Sequence, residues 1–174
     1  MKMYVTSFAL MAALAALTGC GSDSPSSPSG AVTQIYTAAL QPAQEVPAVN
    51  GPEAAGSGTA TITVNLTKDA SGNVTSATAN FAVTLNGFPA STPINMAHIH
   101  VGGAGQSGDV VVNTTIAPGD VVLTNGSGSF NKSAIAVPAD IASQLMNGPA
   151  GFYFNVHSTL NPSGVARGQL VRVQ

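Results

Sequence analysis

The dominant pattern along the chain from residue 31 onward is an alternation of apolar and polar positions. In GTATITVNLT, residues 58–67, every second residue is apolar and the others are threonine or asparagine. This period of two predicts a half-buried antiparallel strand. The segment ATANFAVTLNGF, residues 77–88, repeats the pattern, and the Ser71-Gly72-Asn73 cluster between the two is typical of a turn. Together the two segments predict a hairpin.

Shorter segments with strand character, separated by Gly, Pro and Asn, fill the rest of the chain. They cover residues 34–40, 96–101, 109–115, 127–136, 151–158 and 165–173. One segment differs: in VPADIASQLMNG, Pro138 can begin a helix and Asn147-Gly148 can end it. About eight strands and one short connecting helix predict an all-β domain over residues 31–174. We expect an antiparallel Greek-key sandwich or barrel.

The first twenty residues, MKMYVTSFALMAALAALTGC, have the pattern of an export signal. Lys2 precedes an apolar run at residues 8–17, which is too short to be a permanent membrane span. The ending Leu17-Thr18-Gly19-Cys20 resembles a bacterial lipobox. We therefore expect a lipoprotein signal peptide at residues 1–19 and a lipid anchor on Cys20, the only cysteine. The alternative is an ordinary signal peptide followed by a coincidental cysteine.

Residues 20–30 then combine the lipidated cysteine with a Ser-, Pro- and Gly-rich stretch that reads as a flexible tether. The domain is expected in the periplasm or at the cell surface, anchored to the cell envelope. Gly21 after Cys20 favours the outer membrane where the cell has one. Four basic and seven acidic residues follow residue 19, with no basic cluster. We expect a monomer with no nucleic-acid partner and an unidentified protein or surface partner.

The three histidines of the chain lie in two of the predicted strands. On the first strand, His98 and His100 project from the face opposite an apolar trio, Ala97, Ile99 and Val101. The second strand divides in the same way: its polar face carries Tyr153, Asn155 and His157, and its apolar face carries Phe152, Phe154 and Val156. If these strands are neighbours, the three imidazoles converge on one outer patch. Three imidazoles suit copper or zinc.

A purely structural role for the histidines stays open. An H-x-H pair can also hydrogen-bond to loop backbone, which the glycine-rich residues 102–108 would offer, so the histidines and Asn155 can equally form a hydrogen-bonded cluster. Glu45 and Arg167 are rare charges here and predict a partly buried carboxylate–guanidinium pair with a structural role. The chain has no nucleophile elbow, phosphate-binding loop or H-E-x-x-H motif. No catalytic residue is predicted, and enzymatic activity is not favoured.

Three segments resemble, in order and spacing, the chordin-type (CHRD) domain family: LQPAQEVPAV, AHIHVGGAGQSGDVVV and LMNGPAGFYFNVHSTLNPSGVARGQL. The resemblance spans residues 34–173. It implies an extracytoplasmic β-domain, found alone in bacteria and as repeats in animal chordin, that acts as a binding or interaction module without an established enzymatic activity. This chain departs from the family pattern at Ala48, Ser158 and Val165-Ala166, where proline, threonine and Glu-Ile are usual.

The histidine segments are also similar to copper/zinc superoxide dismutases. That resemblance implies copper-ligand positions for His98, His100 and His157, and the position of an anion-guiding arginine for Arg167. The chain has no fourth histidine and no second cysteine, so a complete copper/zinc site is excluded. What the resemblance leaves is a three-histidine copper or zinc site with a metal-binding or redox role.

Overall fold

A computed structural model describes residues 30–174 of the chain. The predicted signal peptide, Cys20 and all of the predicted tether except Gly30 lie outside the described residues. Within the described part of the chain, no helix is both long and apolar enough to cross a membrane.

The described residues form ten strands, one α-helix and three short 3-10 helices. The strands are β1 (Ala31–Leu40), β2 (Ser57–Lys68), β3 (Val74–Asn86), β4 (Pro93–Val101), β5 (Val110–Asn113), β6 (Val121–Val122), β7 (Gly128–Ala136), β8 (Phe152–Ser158), β9 (Ala166–Gln169) and β10 (Val171–Arg172). Helix α1 spans Ala139–Asn147, and the 3-10 helices span Pro42–Gln44, Pro52–Ala55 and Pro149–Gly151.

Two antiparallel sheets form the architecture. One has the strand order β10-β1-β2-β3-β7, and the other has the order β5-β4-β8-β9, with β6 also paired to β4. The core lies between them, where Phe81 of the first sheet stacks on Phe154 of the second with ring centroids 5.7 Å apart. The predicted all-β fold is confirmed as a sandwich, since the sheets do not close into a barrel.

The predicted hairpin and helix are confirmed. Strands β2 and β3 pair along almost their whole length, and the Asp69 side chain accepts hydrogen bonds from the backbone N–H groups of Ser71 and Asn73 in the turn. Helix α1 buries Ala142 and Leu145 against the core.

The prediction of one strand over residues 165–173 is wrong. The segment divides at the buried Leu170: β9 pairs with β8 in the second sheet, whereas β10 pairs with β1 in the first. The two-residue strand β6 was also not predicted. The C-terminal segment therefore joins the two sheets and places Arg167 beside the histidine strands.

Candidate metal centre

Strands β4, β8 and β9 bring the polar residues together by their register. His98 pairs with Asn155, which pairs with Arg167 on the next strand. One step along, His100 pairs with Tyr153. The hypothesis that the two histidine strands are neighbours is therefore confirmed.

The side-chain faces follow the predicted alternation with one exception. Ala97, Ile99, Phe152, Phe154 and Val156 belong to the core, and the histidines, Tyr153 and Asn155 lie on the other face. Val101, predicted in the core, is 39 % exposed. It is the last residue of β4, where the buried run of the strand ends.

The expectation that the histidines form an outer patch is wrong, because their face is covered. All three are between 5 and 8 % exposed, and Asn155 and Tyr153 are also buried. The cover comes from loops that supply backbone carbonyls to this layer, at Gln44, Gly108 and Pro162. The sandwich thus has a second, polar interior on the outer face of its second sheet.

Two backbone carbonyls fix the tautomers of His100 and His157. His100 Nδ1 lies 2.9 Å from the carbonyl oxygen of Gly108, and His157 Nδ1 lies 3.0 Å from that of Pro162. A carbonyl oxygen only accepts hydrogen bonds, so each Nδ1 carries the hydrogen. In the neutral rings, the lone pair is therefore on Nε2, the nitrogen through which each ring could bind a metal.

The nitrogens of the three rings converge. His98 Nδ1 lies 3.1 Å from His157 Nε2, and it donates the hydrogen because His157 Nε2 carries a lone pair. His100 Nε2 is buried and has no hydrogen-bond partner among the described residues. Each histidine offers one nitrogen, and these three atoms lie within 4.8 Å of one another.

Burial keeps the three rings neutral. Desolvation, together with the neighbouring His157 and His100, lowers the pKa of His98 to about 4. Burial also lowers the pKa values of His100 and His157, against the opposing effect of the carbonyls of Gly108 and Pro162. At neutral pH each ring is therefore neutral and keeps one nitrogen lone pair, which is what a metal requires of a histidine ligand.

Tyr153 holds the ring of His100 in place. The two rings stack with centroids 4.9 Å apart and planes 8° from parallel. The guanidinium carbon of Arg167 lies 4.4 Å from the Tyr153 ring centroid, within the range of a cation–π contact. Gly108 N–H also donates to the Tyr153 hydroxyl at 3.3 Å. Tyr153 therefore fixes both a candidate ligand and the loop above it.

The predicted ion pair between Glu45 and Arg167 is not formed. Buried Arg167 instead donates from Nε to the carbonyl of Gln44 at 2.6 Å and from Nη1 to that of Gln106 at 2.8 Å. Among the described residues, the ion pair within 4.0 Å is Lys132–Asp120, on the surface. Arg167 thus ties two covering loops to β9, because backbone carbonyls reach its guanidinium where the carboxylate does not.

Glu45 is a buried carboxyl beside the histidine layer. Desolvation raises its pKa to about 7, although Arg167 and a hydrogen bond from Asn155 both act to lower it. One carboxyl oxygen, Oε1, has no hydrogen-bond partner among the described residues. A side chain at Gly164 would not fit here, since a Cβ would lie 2.7 Å from both carboxyl oxygens. Glu45 is therefore closely packed but incompletely hydrogen-bonded.

A comparison of the sequence with known protein families gives a match to the CHRD domain over residues 36–170. The chain belongs to the CHRD domain family. Searches of curated proteins and of solved structures gave no match. The matched range contains every residue of the candidate site described above, so the histidine layer is part of the CHRD domain itself.

Sequence reasoning missed a second buried glutamate in this CHRD domain. Glu53 Oε2 accepts hydrogen bonds from Ser158 Oγ, at 2.7 Å, and from Asn161 Nδ2. It thereby anchors the loop that follows β8 and carries Pro162, the hydrogen-bond partner of His157. Charged residues are rare in this domain, and that rarity, which drew attention to Glu45, could also have identified Glu53.

The two buried glutamates should respond oppositely to amide substitution. The folded-state pKa of Glu45 lies above its ordinary value, so its neutral form stabilises the fold at low pH, and that contribution is lost as the pH rises through about 7. Glu45→Gln should therefore raise the free energy of unfolding at pH 8, by about 2 kcal/mol, and change it little at pH 5. Urea unfolding at both pH values measures the difference.

Glu53→Gln is the matched comparison. Its amide oxygen can take the place of Oε2 but is a weaker acceptor for Ser158 and Asn161 than the carboxyl group, so it should lower the free energy of unfolding by about 1 kcal/mol at both pH values. Equal effects of the Glu45 variant at pH 5 and pH 8 would contradict the assigned environment of Glu45.

Proposed function

We propose that His98, His100 and His157 form a copper or zinc binding site within an exported CHRD domain. The observation that supports this most directly is the buried, unpartnered Nε2 of His100 in a cluster where one nitrogen from each ring lies within 4.8 Å of the others. A cluster serving structure alone is expected to satisfy its buried polar atoms. Here two rings are oriented by carbonyls and one nitrogen is left without a partner inside the cluster.

The arrangement is close to what an ion needs. Three nitrogens bound at about 2.0 Å to one ion lie roughly 3.3–3.5 Å apart, so the observed 4.8 Å spread would close by a little over 1 Å. His98 would bind through Nδ1 after its hydrogen moves to Nε2, while His100 and His157 already present lone pairs on Nε2. Three protein ligands leave an open position, which permits ligand exchange or, with copper, a redox role.

The test is titration of the purified protein with Cu²⁺ and with Zn²⁺, comparing wild type with His100→Ala, both carrying Cys20→Ser so that the thiol cannot bind the ion. We expect saturable binding of one ion per chain by the wild type and strongly weakened binding by the variant. Affinity unaffected by the substitution would leave the histidines as a structural cluster with Asn155.

A second candidate function is an interaction module, supported by two clefts beside Glu45, the first of which is also lined by Arg167. Their volumes are about 240 and 200 Å³, and both are lined by Glu45 and by Val46, which is exposed. A partner segment with an apolar group and a hydrogen-bond donor would suit this lining. The copper titration separates the candidates, because an interaction module without a metal site would show no saturable binding.

We also propose that the chain is a lipoprotein of the cell envelope, anchored through Cys20 and carrying the CHRD domain on the 20–30 tether. The lipobox-like Leu17-Thr18-Gly19-Cys20 and the absence of a second cysteine support this. In a bacterial host, Cys20→Ser should move the protein from the membrane fraction to the soluble exported fraction. A variant that remains membrane-bound to the wild-type extent would contradict the lipid anchor.

A further inference from the structure

Met96 lies on the same face of β4 as the histidines, beside the three-histidine cluster. It is the residue of β4 two positions before His98, and it projects from the same face because Ala97 between them belongs to the core. Its partner across the strand pair is His157. Antiparallel partners have Cβ atoms about 5 Å apart, so the Met96 side chain starts beside a candidate ligand.

Exposure distinguishes Met96 from every histidine in the layer. The three imidazoles are buried, whereas Met96, on the same face of β4, is 36 % exposed. The β4–β8 register shifts between Ile94 and Met96, so a bulge immediately precedes this residue. A methionine has three rotatable bonds and a polarizable thioether, so it can turn toward the cluster or toward water without backbone movement.

A thioether changes which ion the site prefers. Thioether sulfur is a soft ligand that selects Cu(I), whereas three imidazoles alone accept both zinc and copper. The three nitrogens leave one position of a four-coordinate ion open. We propose that Met96 supplies the fourth ligand through its sulfur and makes the centre selective for Cu(I) over Zn²⁺. This inference rests on the three-histidine site proposed above.

The chain offers a matched control. After Cys20 it contains two methionines, Met96 and Met146, and Met146 lies in α1, partly buried against the hydrophobic core. Met→Leu exchanges at either position keep side-chain volume and remove only the sulfur. All proteins should carry Cys20→Ser, because the thiolate of Cys20 would itself bind copper.

The experiment measures Cu(I) affinity anaerobically by competition with a chromophoric chelator, and Zn²⁺ affinity by direct titration, in the full-length chain. Met96→Leu should weaken Cu(I) binding at least tenfold and leave Zn²⁺ binding within about twofold of wild type. Met146→Leu should change neither affinity. X-ray absorption of the Cu(I)-loaded wild type should show one sulfur at about 2.3 Å together with nitrogen ligands.

The outcomes separate this inference from the proposed function. A wild type that binds neither ion overturns the three-histidine site and the role of Met96 with it. A wild type that binds both ions, with a Cu(I) affinity for Met96→Leu equal to that of Met146→Leu, overturns the role of Met96 alone. The absence of sulfur from the absorption spectrum does the same and does not depend on the folding of any variant.

Discussion

Saturating Cu²⁺ should raise the free energy of unfolding of the wild-type domain by about 4 kcal/mol when the free ion is a thousandfold above its dissociation constant. The ion binds only the folded chain, because β4 and β8 bring His98, His100 and His157 together from positions about sixty residues apart. For a domain of this size, that gain corresponds to a rise in melting temperature of about 10 °C. Calorimetry with and without the ion measures it.

His100→Ala should remove most of this stabilisation. It deletes one of three nitrogens, and a loss of affinity of at least a hundredfold corresponds to about 2.7 kcal/mol of binding free energy. Mg²⁺ is the control ion, since it prefers oxygen ligands and should leave the melting temperature unchanged. Superimposable wild-type curves with and without Cu²⁺, or an equal shift in His100→Ala, would contradict a three-histidine site.

The fold could be predicted from sequence where a strand buries only one face. In β2, apolar residues occupy alternate positions and all of them lie in the core, so period two identifies both the strand and its inner face. The pattern carries no information on hydrogen-bond partners. From Ala166 to Arg172 the chain stays extended while it changes sheets at Leu170, and the two-residue strand β6 is too short to show any period.

The candidate site was predictable in part for the same reason. Alternation places His98 and His100 on one face of β4, and His157 on the matching face of β8. Their burial was not predictable, since the cover is made by backbone carbonyls of Gly108 and Pro162, which are the same atoms in every residue type. The partners of Arg167 were not predictable for the same reason. Its positive charge predicted an ion pair with Glu45, but its hydrogen bonds go to backbone carbonyls.

Gly108 should therefore affect the proposed metal site although it has no side chain. A Cβ at this position would lie 1.8 Å from the carbonyl oxygen of Val101, so Gly108→Ala must push the 102–108 loop away from β4. That movement breaks the hydrogen bond from His100 Nδ1 to the Gly108 carbonyl and the one from Gly108 N–H to the Tyr153 hydroxyl. Both bonds orient the His100 ring, one directly and one through the stacked Tyr153.

Gly108→Ala should lower the free energy of unfolding by about 2–3 kcal/mol and weaken Cu²⁺ binding 10- to 100-fold, the usual effect of losing a hydrogen bond that orients a ligand. Gly103→Ala is the control in the same loop, because a Cβ there would meet only the Gln106 side chain, at 3.4 Å. It should leave both quantities near wild type. Urea unfolding and copper titration of the two variants measure the contrast.

Wild-type copper affinity in Gly108→Ala would show that the loop covers the histidines without orienting them. Losses of both stability and copper affinity in Gly108→Ala, but not in Gly103→Ala, would establish that the backbone of this loop holds the His100 ring in the orientation that the ion needs.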